Sequence, residues 1–283
     1  MPSHNLSQLK IDDLEIIGYS IAGEETVVAM PQLDVCFDIG KAPDQVIAVN
    51  NCLLTHGHMD HAAGIAYYLS HRNFNGQSAG TVLAPINCIP FIQQILDAWG
   101  RLDGNKIPAK LIGVSTGDEY MIKPNLLYAR VFPTKHCPGS VGFTIIEKRK
   151  KLKKEYLNLN SRQIVELKKQ GVEIDNPLEI PIVTYLGDTR YVDFSQLDYI
   201  KNSKILIAEC TFYEVEHTGR AEAGKHMHIS EFAQLLSDLD NEHIIITHIT
   251  HRTTLRDAKK MLKESLSPKV YKKIILLMDK ITR

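Results

Sequence analysis

The ten residues from Thr55 to Gly64 read Thr-His-Gly-His-Met-Asp-His-Ala-Ala-Gly, which puts three imidazoles and one carboxylate within six positions. Structural demand alone seldom gathers four metal donors so closely. The preceding run, Val46 to Leu54, is predicted to be a strand, and His61 to Ser70 a helix with apolar residues at Ile65, Tyr68 and Leu69. The fold must therefore present the donors on the turn between a strand and a helix. On an extended loop the alternating His56 and His58 can converge on one ion, while Asp60 and His61 point elsewhere, so two divalent ions are expected. Imidazole and carboxylate suit Zn2+ first, with Mn2+ and Fe2+ compatible with the same donors.

At 283 residues and 44% hydrophobic, the chain can bury one large core, and a single domain over 1–283 is expected. Lys plus Arg and Asp plus Glu both number 33, so no net field attracts a polyanion, and any grip on nucleic acid must come from a local patch. The five cysteines (Cys36, Cys52, Cys88, Cys137, Cys210) are odd in number and lack paired spacing, which reads as buried thiols in a reducing compartment. The first residues carry no apolar signal core, and no run approaches the ~18 to 20 apolar residues of a membrane span. A cytoplasmic protein with no membrane partner is expected.

Short apolar runs alternate with helical patterns, which predicts mixed α/β architecture. Strands are expected at Glu25 to Met30, Asp34 to Asp38, Val46 to Thr55, Thr81 to Ala84, Leu126 to Pro133, Gly142 to Glu147, Ile182 to Leu186, Lys204 to Ala208 and His243 to Thr247. Helices are expected at His61 to Ser70, Pro90 to Ala98, Ser230 to Leu239 and Thr254 to Glu264. The segment 147–181 stands apart. Six of the seven residues from Lys148 to Lys154 are basic, and a helix capped by Ser161, with Ile164 and Leu167 on one face, runs on toward Gly171. An excursion of about thirty residues between two strands exceeds the usual connection and is commonly functional.

Three further donors stand at the ends of predicted strands: His136, Asp188 and His248. With the first cluster they make two sets, His56, His58 and His136 for one ion and Asp60, His61 and His248 for the other, with Asp188 between. This ordered series resembles the metallo-β-lactamase superfamily, and within it the chain resembles a short-form tRNase Z of the plant and cyanobacterial type. The likeness runs from about Gly18 to Arg252 and includes Gly18-Tyr19-Ser20-Ile21-Ala22-Gly23-Glu24-Glu25-Thr26, Phe37-Asp38-Ile39-Gly40, the basic segment, Ala208-Glu209-Cys210-Thr211-Phe212 and Lys225-His226-Met227-His228. Where the family's last motif continues from His through Phe-Ser to Arg-Tyr, this chain reads His248-Ile249-Thr250-His251-Arg252-Thr253.

The resemblance implies a four-layer αβ/βα sandwich of two mixed sheets with outer helices, and hydroxide attack on a phosphodiester that removes 3′ trailers from tRNA precursors. It implies a catalytic set of His226, Glu209 and Asp60, with His228 as the neighbouring competitor, a basic arm Lys148 to Lys154 that holds precursor tRNA, and a homodimer. A small-molecule metallohydrolase of the same fold (phosphodiesterase, lactonase or thioesterase) is the rival reading, and a non-catalytic RNA-binding protein a remoter one. His4, His71, His217 and His243 read as surface or strand-end histidines, and Trp99, Tyr67 and Tyr68 as core or dimer contacts.

Overall fold

The computed structural model describes residues 6–280, so His4 lies outside the described residues. Two seven-stranded sheets face each other, and in each the strands lie side by side in chain order. The first holds β1 (Ser7–Ile11), β2 (Leu14–Ile21), β3 (Glu25–Met30), β4 (Val35–Phe37), β5 (Asn51–Leu53), β6 (Gly80–Pro85) and β7 (Ala109–Val114). The second holds β8 (Glu119–Lys123), β9 (Leu127–Pro133), β10 (Val141–Leu152), β11 (Asp175–Tyr185), β12 (Ile205–Glu209), β13 (His243–Thr247) and β14 (Ile274–Leu276). Pairing is antiparallel from β1 to β4 and from β8 to β11, and parallel from β4 to β7 and from β11 to β14.

Parallel neighbours need crossovers, and helices supply them everywhere except between β4 and β5, where a 3-10 turn at Asp44–Val46 serves. Helices α1 (Met59–Ala62), α2 (Ile65–Phe74) and α3 (Ile89–Asp103) belong to the first sheet, and α4 (Ser161–Lys169) sits in the excursion between β10 and β11. Helices α5 (Asp198–Lys201), α6 (Thr218–Gly224), α7 (Ile229–Ser237), α8 (Leu255–Ser265) and α9 (Pro268–Tyr271) serve the second. No helix among the described residues is long and apolar enough to cross a membrane.

The strand period of two divides each apolar run between two cores. In β3, Val28 and Met30 enter the core between the sheets, whereas Val27 and Ala29 meet the helices outside. In β12, Ile205 and Ile207 face inward while Leu206 and Ala208 meet the outer helices. This is the expected αβ/βα sandwich.

Four local expectations are corrected. Val46 to Leu54 is not one strand: Asp44–Val46 is a 3-10 turn and the ladder is confined to β5. The reason is the buried Arg72, whose Nη1 donates to the carbonyls of Ile47 (2.6 Å) and Val49 (2.9 Å), so this backbone is satisfied without a sheet partner. The helix expected from His61 breaks before Gly64, where a Cβ would lie 2.4 Å from the Ala42 nitrogen. The N-cap of α4 is Asn160, not Ser161, because Asn160 and Gln163 close a capping box. Of the five thiols, Cys36, Cys52 and Cys210 are buried, but Cys88 and Cys137 are partly exposed.

Candidate metal centre

The carboxyl ends of the parallel strands in both sheets meet at one edge of the sandwich, the place where open α/β sheets bind ligands. His56, His58, Asp60 and His61 follow β5, Asp188 follows β11, Glu209 ends β12, and His248 follows β13. His136 joins them from the loop after β9. Two backbone positions make this convergence possible. Gly187 has φ +62°, and a Cβ there would stand 2.8 Å from Thr55, so only glycine lets the chain pass and deliver Asp188. His248 itself sits at φ +59°, an uncommon conformation for a non-glycine residue and one that clusters at functional sites.

All seven residues expected as ligands come together. Potential ligand atoms of His56, His58, His136 and Asp188 lie within 4.8 Å of one another, as do those of Asp60, His61 and His248. Asp188 stands between the sets: its Oδ2 is 3.1 Å from His61 Nε2, 3.2 Å from His248 Nε2 and 3.8 Å from both His56 Nε2 and His136 Nε2. Asp60 Oδ2 accepts from the Gly23 amide at 2.8 Å and lies 3.4 Å from His248 Nε2.

The outward nitrogens are tied down by matching relays. His56 Nδ1 donates to Thr55 Oγ1 (3.0 Å), whose hydroxyl donates to Asp38 (2.9 Å). His248 Nδ1 donates to Thr211 Oγ1 (3.0 Å), whose hydroxyl donates to Glu209. His61 Nδ1 donates to Asp38 Oδ2 at 2.7 Å and His136 Nδ1 to the Lys225 carbonyl at 3.3 Å. With Nδ1 protonated, these rings turn an Nε2 lone pair toward the centre.

The cluster fits a cation on its own chemistry. His56 Nε2 and His61 Nε2 are buried with no hydrogen-bond partner, an arrangement costly unless something positive accepts their lone pairs. Burial, with His61 beside it, holds His56 well below the ordinary imidazole range, and burial likewise lowers His136, which keeps both in the neutral form that ligates. Burial works against charge on His61, but Asp188 and Asp38 outweigh it and raise that ring.

Beside the ligands stands the Glu209–His226 pair. Glu209 is fully buried and accepts from the amides of Thr189 (2.6 Å) and Met227 (3.1 Å) and from His226 Nδ1 (3.1 Å). Burial opposes charge on His226, yet Glu209, helped by Asp188, raises the ring to about 9. His226 lines a cleft of about 380 Å3 together with Asp60, Asp188, His248, Phe212 and Arg252. His228 is turned away: it caps α7, with Nδ1 on Ser230 (2.9 Å) and Nε2 near the Glu214 carbonyl (3.3 Å). His217 is less solitary than expected, since it lies 3.0 Å from Glu214 and packs on Phe212. His251 is exposed and pairs with Glu24 at 2.8 Å.

Reading the sequence for donors passed over Asp38, Thr55 and Thr211. Asp38 is fully buried and also accepts from Tyr185 Oη at 2.8 Å. Its signal was an acid embedded in the apolar end of a strand, Val35-Cys36-Phe37-Asp38-Ile39-Gly40, where a carboxylate is costly unless paired. Asp38→Ala is expected to weaken metal affinity about 10- to 100-fold, the scale for losing a group that orients a ligand. It also strands the buried Tyr185 hydroxyl, at a cost of about 1–3 kcal/mol. Metal titration and thermal unfolding in chelator measure the two effects, and unchanged metal affinity would refute the orienting role.

Two facing mixed sheets with a histidine and aspartate cluster where their parallel strands end define a metal-dependent hydrolase of the β-lactamase class. The Beta-lactamase superfamily domain matches residues 31–249. A tRNase Z of Arabidopsis thaliana is 32% identical over 256 residues, 88% of this chain and 90% of its own length. The chloroplastic tRNase Z of the same plant is 30% identical over 273 residues, 94% of this chain and 77% of its own. The chain belongs to the tRNase Z family of the β-lactamase superfamily. Among solved structures, the human short-form tRNase Z superposes with a TM-score of 0.56 at 13% identity, over 92% of this chain and 88% of that one, a likeness of fold.

Proposed function

We propose that the chain is an endoribonuclease that removes 3′ trailers from tRNA precursors, using two divalent ions with zinc first among them. The observation that carries this is His226, held by Glu209 at 3.1 Å and 3.9 Å from Asp188, in a chain whose relatives carry the name tRNase Z. His56, His58 and His136 would hold one ion, Asp60, His61 and His248 the other, and Asp188 would serve both. Two such ions supply a water nucleophile at neutral pH and offset the charge that gathers on the attacked phosphate.

The chain's own residues do the rest. His226 gives its proton to the departing 5′ oxygen of the trailer, while Glu209 fixes the ring through Nδ1 and stabilises its charged form. Asp60, tied to the Gly23 amide, holds its edge of the cleft in place. Arg252 is exposed on the rim and meets the substrate's phosphates, a fork suited to them. Within the 147–181 arm of this single domain, the lysines from 150 onward grip RNA backbone by shape and charge.

The test is cleavage of a 3′-extended precursor tRNA by the purified, metal-loaded protein. One cut after the tRNA body is expected, leaving a 3′-hydroxyl on it, lost with chelator and restored by zinc. Turnover of a simple phosphodiester or ester with no cut in the precursor would overturn the tRNA reading and favour a small-molecule hydrolase.

A homodimer and a cytoplasmic location are part of the same reading. Helices α2 and α3 expose Tyr67, Phe74, Phe91, Ile95, Trp99 and Leu102, whereas Tyr68 is buried. Grooves of about 360 and 490 Å3 run along this face, and so much contiguous apolar surface is what subunits cover. Trp99→Asp is expected to convert a dimer to a monomer in analytical ultracentrifugation; a wild-type monomer at micromolar concentration refutes the dimer. The free thiols agree with a reducing compartment.

A further inference from the structure

The basic run does not behave as one unit. The β9–β10 pairing ends at Leu127 and Glu147, and from the Lys148–Glu179 pair to the Leu152–Asp175 pair the arm is a two-stranded ribbon. From residue 149 to residue 178 only Ile174 is buried, and Leu152, Ile164 and Leu167 are partly covered. Such a ribbon, with so little buried, twists and bends readily, so the direction of the arm has to be set at its root.

Four charged side chains meet at that root, one from each neighbouring strand: Glu119 of β8, Arg130 of β9, Lys148 of β10 and Glu179 of β11. Arg130 Nη2 bonds Glu119 Oε2 at 2.8 Å and Glu179 Oε1 at 2.9 Å. Lys148 Nζ bonds Glu119 and lies 3.5 Å from Glu179 Oε1. Arg130 stacks on the Tyr199 ring of α5 at 5.1 Å and Lys148 on the Tyr128 ring at 4.4 Å. The two positive and two negative charges cancel. Arg149 is likewise taken up by Glu147 at 2.7 Å. Lys150, Lys151, Lys153 and Lys154, by contrast, have no ion-pair partner among the described residues.

We propose that Glu119, Arg130, Lys148 and Glu179 form an ionic staple that fixes the angle at which the arm leaves the domain, so that Lys148 is a positioning residue and not an RNA contact. The RNA-facing charge then begins at Lys150. This rests on the tRNA reading for its purpose but not for its existence.

Glu179→Gln separates the two roles by sign. It adds one unit of positive charge to the arm, so a purely electrostatic arm binds precursor tRNA more tightly. An arm that has lost its staple binds it worse, and KM is expected to rise about fivefold through lost effective concentration of the tethered contact. Lys148→Gln should do the same with its salt dependence unchanged, and the double variant should be no worse than either single one. Hydrolysis of bis(p-nitrophenyl) phosphate, too small to reach the arm, stays at the wild-type rate throughout. In both single variants, amide hydrogen exchange over 149–178, measured without RNA, is expected to speed up. Unchanged exchange, or a lower KM for Glu179→Gln, overturns the staple. A wild-type protein that cuts no precursor sinks the tRNA reading instead, and the exchange measurement still decides the staple.

Discussion

Asp188→Ala is expected to reduce precursor cleavage to below about one part in a thousand of wild type, the scale on which a preorganised charged group acts in a closed site. Among the described residues the aspartate is the one anion that nitrogens from both histidine sets face, at 3.1 to 3.8 Å from four rings. In the metal-free chain burial disfavours its charge, yet His248 and His61 hold its carboxyl well below the usual carboxylate range. Without it two cations would repel each other across neutral rings with only the Asp60 carboxylate left to offset their charge, and metal content should fall from two ions per chain to one or fewer. Elemental analysis beside the cleavage assay separates lost metal from lost folding. Asp188→Asn keeps the volume and removes the charge, so it should fail almost as badly. Near-normal cleavage by a fully loaded Asp188→Asn protein would falsify the bridging role.

The ligands were legible because each lies just beyond an apolar run, and such runs announce buried parallel strands. His56 to His61, Asp188 and His248 carry that mark, and His136 follows an apolar run of its own, β9, which pairs antiparallel on both sides. The groups that orient them do not. Asp38 reaches His61 across 23 positions and Thr211 reaches His248 across 37, and a threonine two residues after Glu209 looks like any strand-end threonine until the strands are packed. The apolar pattern misled at Val46 to Val49, where a buried arginine takes the place of a ladder. It did not locate β1, β2, β7, β8, β14 or the outer halves of β10 and β11, and in β10 the reason is plain: a run of lysines carries no burial signal although β11 pairs with it residue by residue. Composition located the arm, but the pairing of Lys148 with acids from two other strands depends on tertiary register, which a single sequence does not display.

His226→Ala should slow precursor cleavage about 10²- to 10⁴-fold, the range for losing a positioned general acid, while leaving both ions bound. The control is the leaving group. An RNA 5′ alkoxide needs a proton as it departs, whereas p-nitrophenolate is stable without one. The same variant should therefore hydrolyse bis(p-nitrophenyl) phosphate at close to the wild-type rate. Glu209 adds a pH signature. With its carboxylate in place the ring is raised to about 9, so the acid form persists through neutral pH and activity falls only as pH rises through that value. Glu209→Gln removes the charge, the ring loses its proton at lower pH, and the alkaline limb of the profile moves down. The Thr189 and Met227 amides also lean on Glu209, so the variant's fold must be checked by thermal unfolding. Equal loss on both substrates in His226→Ala would make the histidine a structural or metal-retaining group, and a basic limb unmoved in Glu209→Gln would separate it from the carboxylate beside it.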